Sequence, residues 1–267
     1  MSFGGLDFIF DGQYSGNYGL KIMSFSSSLS TESSAGCGIE IFEDSVYRNP
    51  TVYHQGVSQN QPLEFDIEFV SEDEIPSVMR SKISKWLFSR MNYCKLQIIQ
   101  RDLQDIYFNC HLVDPIFTYI GNYCHGISCK VKCDAPWAWQ NQKTFTKVLT
   151  DEDRETTNPV LWRHYNDSDD TDYTYPLIEF TTISAGDYSI VNENDNNREF
   201  RFEGLQANET IKVDCRNQTI ESSMRILRSK NFIKKFFRLV SGVNNLKLSG
   251  AFESLTIKYK NARKVGG

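Results

Sequence analysis

The sequence predicts a mainly β protein of two domains: an N-terminal β-sandwich-like domain carrying one α-helix (about 74–90), and a C-terminal jelly-roll β-sandwich. Three observations predict it. Short runs that alternate apolar and polar side chains recur along the chain, and Phe and Tyr are abundant at 18 and 13 residues, as strands prefer. Only one stretch carries the helical spacing. A polar, charged segment over about 146–175 divides the 267 residues into domains at 1–145 and 146–267.

Taken in order, Ser24 to Gly38 is rich in Ser, Thr and Gly without a period and reads as a long loop or arm. The clearest strand is Leu63-Glu64-Phe65-Asp66-Ile67-Glu68-Phe69, with four apolar side chains on one face and three carboxylates on the other. A helix is expected next. Ser71 and Glu74 have capping-box spacing, and Pro76 is tolerable in a first turn. Ile75, Val78, Met79, Ile83, Trp86 and Leu87 share one helical face. Strands follow near 94–100, 106–113, 116–120 and 123–133, with turns at Asp102, Asp114-Pro115 and Gly121-Asn122. Beyond the linker, strands are expected at Leu177–Phe180, Tyr188–Val191, Phe200–Phe202, Thr210–Cys215, Phe236–Val240, Leu246–Leu248 and Leu255–Tyr259.

Charge and composition exclude some classes of function. The net charge is -5, with 10 basic and 16 acidic side chains in residues 1–140, and the rest nearly balanced. Neither half has the basic excess with which nucleic-acid binders displace counterions, so no nucleic acid is expected. No apolar stretch reaches the ~20 residues of a membrane helix. Met1-Ser2-Phe3-Gly4-Gly5 has neither a basic nor an apolar signal region, so synthesis in a cytoplasm and reduced cysteines are expected.

Cys124, His125, Cys129 and Cys133, with Cys110-His111 upstream, raise the question of a metal site. Zinc needs four ligands in a tetrahedron. Ile127 to Cys133 alternates at period two, which sets Cys129 and Cys133 two pleats apart, roughly 13 Å, on one strand face. That favours buried thiols over ligands, and neither metal nor cofactor is expected. The acidic run Asp167 to Asp172 lacks the Gly and Glu of an EF-hand loop, with Asp172 and Ile178 at those positions, and reads as a solvated linker. Triplets at Asn166, Asn208 and Asn217 match the glycosylation pattern without a secretion signal. The basic and aromatic stretch Arg225–Arg238 reads as a strand and turn with its charges in water rather than a single-strand nucleic-acid platform. No nucleophile elbow, phosphate loop or zinc helix is present, so no catalytic residue is named and no enzyme is expected.

Leu6 to Gly12, with Tyr18-Gly19-Leu20-Lys21-Ile22, resembles the start of the distal tail proteins of long-tailed bacteriophages. The likeness continues in order through Leu63–Phe69, Trp86-Leu87-Phe88, Lys95–Ile98, Tyr107–Cys110, Gly126–Lys132 and Ala135-Pro136-Trp137. Phe236–Leu239 leading to Gly242–Leu248 is similar to the family's late hairpin, with Gly242-Val243-Asn244 where relatives commonly have Gly-Glu-Asn. The resemblance implies a non-enzymatic baseplate or tail-tip protein at the distal end of the virion tail. It implies a homo-hexameric ring, built by the N-terminal domain, that joins the tail tube protein to a tail-associated hub protein. It also implies a galectin-like C-terminal sandwich that docks receptor-binding proteins, with 24–38 as an arm reaching a neighbour. The alternative is a carbohydrate-binding module for host wall glycans, with Trp162, Tyr173, Tyr175 and Tyr188 as its aromatic platforms.

Overall fold

The computed structural model describes residues 6–23, 40–45, 47–48, 50–58, 61–156 and 159–264. The expected arm at 24–38 lies outside them. The chain divides into two compact units, Met1–Gln140 together with Arg263–Gly267, and Asn141–Ala262.

The first unit contains β1 (Phe8–Phe10), β2 (Gln13–Tyr14), β3 (Lys21–Ile22), β4 (Glu40–Ser45), β5 (Val52–Ser58), β6 (Glu64–Val70), α1 (Ser77–Phe88), β7 (Cys94–Ile98), β8 (Ile106–Ile120), β9 (Tyr123–Cys133) and β10 (Ala138–Gln140). Its main sheet is antiparallel, in the order β2-β1-β7-β8-β9-β6-β3, with β10 also pairing β8. β6 behaves as its alternation requires: Ile67 and Phe69 are buried, while Glu64 faces Lys132 across the β9 ladder. The core gathers around Trp86 of α1. Its ring stacks on Tyr18 at 4.2 Å and Phe8 at 5.8 Å, and its Nε1 donates to the Phe10 carbonyl at 3.0 Å.

Two local expectations are corrected here. The helix starts at Ser77 with Pro76 as its N-cap, not at a Ser71 capping box. The Ser71 and Ile75 amides donate to His125 and Cys124 carbonyls at 2.9 and 2.7 Å, which holds this stretch along β9, and the residue before a proline resists helical geometry. Asp114-Pro115 is a bulge inside β8 rather than a turn. Asp114 sits at φ 54°, the register shifts between Val113 and Ile116, and the strand continues to Ile120. A bulge is where a sheet accepts proline, which has no amide to offer the ladder.

The second unit begins with β11 (Lys143–Val148), α2 (Asp151–Thr156) and β12 (Val160–Asn166). It continues with β13 (Leu177–Thr182), β14 (Gly186–Asn192), β15 (Arg198–Leu205), β16 (Thr210–Asp214), β17 (Thr219–Ser222), β18 (Gly242–Ser249) and β19 (Phe252–Tyr259), and β20 (Ala262–Arg263) falls at the division between the units. Two antiparallel sheets, β11-β19-β13-β16-β17 and β12-β18-β14-β15, enclose a core rich in Phe and Leu.

The stretch expected as a polar linker with edge structure carries an edge strand of each sheet and a helix between them. β11 pairs β19 over six residues, and β12 pairs β18 over seven. α2 is a second helix, closed by a reciprocal cap in which the Thr150 amide donates to Asp153 Oδ2 and the Asp153 amide donates to Thr150 Oγ1. Phe236–Val240 forms no regular strand. It touches the sheets through an isolated bridge between Leu239 and Thr174, and side chains catch its carbonyls: Arg198 Nε at Phe236, Asn192 Nδ2 at Arg238 and Asn166 Nδ2 at Val240.

Candidate assembly interface

Exposed apolar side chains occur in both units, Leu161, Ile226 and Leu227 in the second among them, and in the first unit they gather on two hairpins. β4 and β5 pair only with each other among the described residues. Their ladder matches Ile41 to Val57, Phe42 to Gly56, Asp44 to Tyr53 and Ser45 to Val52, with a bulge after Phe42. Ile41, Phe42, Val52 and Tyr53 are all exposed, and Tyr47 beyond β4 is 86% exposed. A two-stranded hairpin is marginally stable alone in water, and apolar side chains spread along one belong against another surface.

The distal end of the β8–β9 hairpin repeats the pattern. Early in β8 the alternation is buried, from Tyr107 to Leu112; beyond the bulge Ile116 and Ile120 are 66% and 64% exposed. Tyr119 and Tyr123 flank the Gly121-Asn122 turn, and Arg80 of α1 donates to the Tyr119 hydroxyl at 3.0 Å. β7 pairs β8 only from Phe108 to Cys110, so among the described residues the outer edge of β8 beyond Leu112 carries no strand. Nearby, a cleft of about 590 Å³ is lined by Leu20, Lys21, Val70, Glu72, Ile120 and His125 among others.

The second unit carries more buried polar groups, and most of them are paired within it. Glu209 is fully buried and accepts from Arg228 Nε and Nη2 at 2.8 and 2.6 Å, from Ser222 Oγ at 2.6 Å and from the Gln206 amide at 2.9 Å. Burial works to raise its pKa, but these hydrogen bonds and the Arg228 charge hold the carboxyl below its ordinary value. Asp195 accepts two bonds from Arg238, whose guanidinium also lies 3.5 Å from the Tyr173 ring centroid. His164 shares a 2.9 Å hydrogen bond with the Tyr259 hydroxyl, and desolvation lowers its pKa to about 4.

The residues singled out in the sequence fall as follows. Cys129 and Cys133 lie on β9, Cys110 lies on β8 opposite Cys133, and all three are buried thiols. Burial pushes the Cys129 thiol up to about 12. Among the described residues no group of three or more His, Cys, Asp and Glu is placed to hold a metal ion. Asp167 to Asp172 is tied into local turns, with Ser168, Asp170 and Asp172 amides donating to Asn166, Ser168 and Asp170 side chains. In the basic stretch, Phe232 and Phe237 point into the core and Arg228 is spent on Glu209, so no aromatic platform faces water beside the lysines. Of the sugar-stacking candidates, Tyr188 is buried with its hydroxyl on the Ser184 and Ala251 carbonyls, and half-buried Trp162 packs against the core. Tyr173 and Tyr175 remain exposed. Sequence reasoning missed the β4–β5 hairpin, whose signal was the apolar pairs Ile41-Phe42 and Val52-Tyr53 in otherwise polar surroundings.

No described helix is long and apolar enough to cross a membrane. A search of curated proteins gives no match. Among solved structures, the Dit protein of phage SPP1, described as a paradigm of hub adsorption apparatus in Gram-positive infecting phages, superposes with a TM-score of 0.68. The two share 11% identity over 96% of this chain and 98% of that one. A chain of the phage p2 baseplate in its activated conformation with Sr matches at 13% identity over 96% and 98%, with a TM-score of 0.44. Residues 3–135 match the family model for a phage tail protein N-terminal domain, and residues 137–259 match that for a phage tail C-terminal domain. In both of its domains the chain belongs to the phage tail protein family, and its fold is that of a distal tail protein.

Proposed function

We propose that the chain is a structural, non-enzymatic hub subunit at the distal end of a phage tail. Six copies close into a ring through the first domain, which joins the tail tube protein on one side to a tail-associated hub protein on the other. The observation that carries this reading is the β4–β5 hairpin, whose strands pair only with each other among the described residues and whose apolar side chains are exposed. In a ring each hairpin packs on the next subunit, a heterologous contact that closes by rotation. The family match and the fold shared with a hub protein support the reading. The second domain then stands as a self-contained module for docking adsorption proteins. The carbohydrate-binding alternative has less support, because Tyr188 is buried and Arg238 lies against Tyr173.

Mass photometry and negative-stain microscopy of the full chain, alone and with the tail tube protein, test the proposal. The expected particle is a ring of six times the 30.8 kDa subunit mass. A monomer that persists at micromolar concentration with the tube protein present overturns it.

A further inference from the structure

Three cysteines stand abreast across the middle of the first unit's sheet. Cys94 of β7 is the register partner of Cys110 of β8, and Cys110 is the register partner of Cys133 of β9. Register partners project from the same face, so the three thiols form a row across neighbouring strands. The backbone bonds define each pair. The Asp134 amide donates to the Asn109 carbonyl, and the Cys133 amide donates away from β8, to Leu63. Cys110 and Cys133 are therefore a non-hydrogen-bonded pair, the kind whose Cα atoms approach to about 4.5 Å. Cys110 consequently turns its amide and carbonyl toward β7, making Cys94 and Cys110 a hydrogen-bonded pair at about 5.5 Å. Both separations lie within the Cα range of disulfides, and the closer pair brings its side chains nearer.

Access is graded along the row. Cys94 is half-buried, whereas Cys110 and Cys133 are 0% and 2% exposed. An oxidant reaches Cys94 first, and the row leads inward from it. We propose that Cys94, Cys110 and Cys133 are a thiol relay that a peroxide converts to a cross-strand disulfide between Cys110 and Cys133.

The steps balance. The Cys94 thiol ionises and its thiolate attacks the peroxide O–O bond; a sulfenic acid forms, and the hydroxide that leaves takes up the thiol proton as one water. Cys110 sulfur attacks Cys94 sulfur; the S–S bond forms, the S–O bond breaks, and the hydroxide leaves as a second water with the Cys110 proton. Cys133 sulfur then attacks Cys110 sulfur and expels Cys94, which recovers the proton that Cys133 gives up. Exchange passes through a mixed disulfide, and the row sets each successive thiol on the strand next to the last. Two thiols and one peroxide become one disulfide and two waters, and Cys94 is regenerated. Cys129 stands outside the row, opposite Ile67 of β6. Burial, with the Asp11 charge second, raises the Cys94 pKa, so entry quickens as pH rises from 7 to 9. The chemistry does not depend on the ring. Its use rests on the tail reading, since a subunit made in a reducing cytoplasm meets oxidants after release.

The test treats the full chain with hydrogen peroxide, blocks remaining thiols with N-ethylmaleimide, and reads intact mass and non-reduced peptide maps. The expected result is loss of two hydrogens and a Cys110–Cys133 link, faster at pH 9 than at pH 7. Cys94→Ser forms the same link roughly tenfold more slowly, because the exposed entry thiol is gone. Cys133→Ala arrests at Cys94–Cys110. A link to any other cysteine, Cys94 driven to sulfinic acid without a disulfide, or an unchanged rate in Cys94→Ser overturns the relay. The wild-type map decides the linkage even if a variant fails to fold, and none of these results depends on whether rings form.

Discussion

The two domains handle polar and apolar groups in opposite ways. In the first, Ser15 is the one buried polar side chain among the described residues, while exposed apolar side chains crowd the β4–β5 hairpin and the β8–β9 tip. In the second, Asn166, Asn192, Asn244, His164, Asp195, Glu209 and Arg228 are buried, most of them bonded to one another or to nearby backbone. Fully satisfied polar networks rigidify a core and specify one arrangement. Unsatisfied apolar surface does the reverse, because it leaves part of the packing to another chain. In the proposed ring the first domain is finished by its neighbours, whereas the second holds its polar network within itself.

The sharpest way to break the second half of that comparison is to orphan one charge. Glu209→Ala leaves the Arg228 guanidinium buried without its carboxylate and is expected to cost about 3–5 kcal/mol. Combining it with Arg228→Met is expected to recover much of the loss, as apolar replacements of buried pairs do. Hydrogen exchange resolved by peptide separates the domains: protection should fall in residues 177–222 and hold in the first unit. Equal loss in both units would mean that the second does not depend on its own network.

Acid is the next largest perturbation, and His164 sets the window. Its folded pKa of about 4 lies below the unfolded value near 6.5, so the unfolded chain takes a proton that the folded chain refuses. The stability is fully present above pH 6.5 and is lost as pH falls toward 4, by about 3 kcal/mol in all. His164→Gln cannot titrate and should flatten that part of the curve in urea midpoints. A slope unchanged in the variant would assign the acid sensitivity to other groups.

How much was legible follows the same division. β6 and β9 were readable because one face is apolar and the other charged, and α1 because its buried Ile83, Trp86 and Leu87 recur at helical spacing. β12 was not, because its inward side chains include His164 and Asn166, which a hydrophobic pattern assigns to water. The start of α1 was misplaced because hydrogen bonds to β9 override a local capping signal. Phe236–Val240 has the residues of a strand, but its carbonyls are claimed by side chains from distant positions. The cysteines were legible as strand packing, yet their alignment in a row depends on register between three strands. The hairpin was hidden for a different reason: its described apolar side chains, Ile41, Phe42, Val52 and Tyr53, come as adjacent pairs and show no clean alternation.

That hairpin gives the smallest effect on stability and the clearest effect on assembly. Phe42 and Tyr53 are exposed, so Phe42→Ser with Tyr53→Ser should leave the unfolding of the isolated subunit within about 0.5 kcal/mol, the usual range for surface substitutions. The same pair should sharply lower the fraction of rings seen by mass photometry, because an interface loses more than a surface when its apolar anchors go. The outcomes separate the two kinds of domain. A variant that unfolds shows that the hairpin completes its own subunit; a variant that folds and still forms rings shows that the contact lies elsewhere, with the β8–β9 tip at Ile116 and Ile120 the next surface to test. A folded monomer is the result that a first domain finished by its neighbours requires.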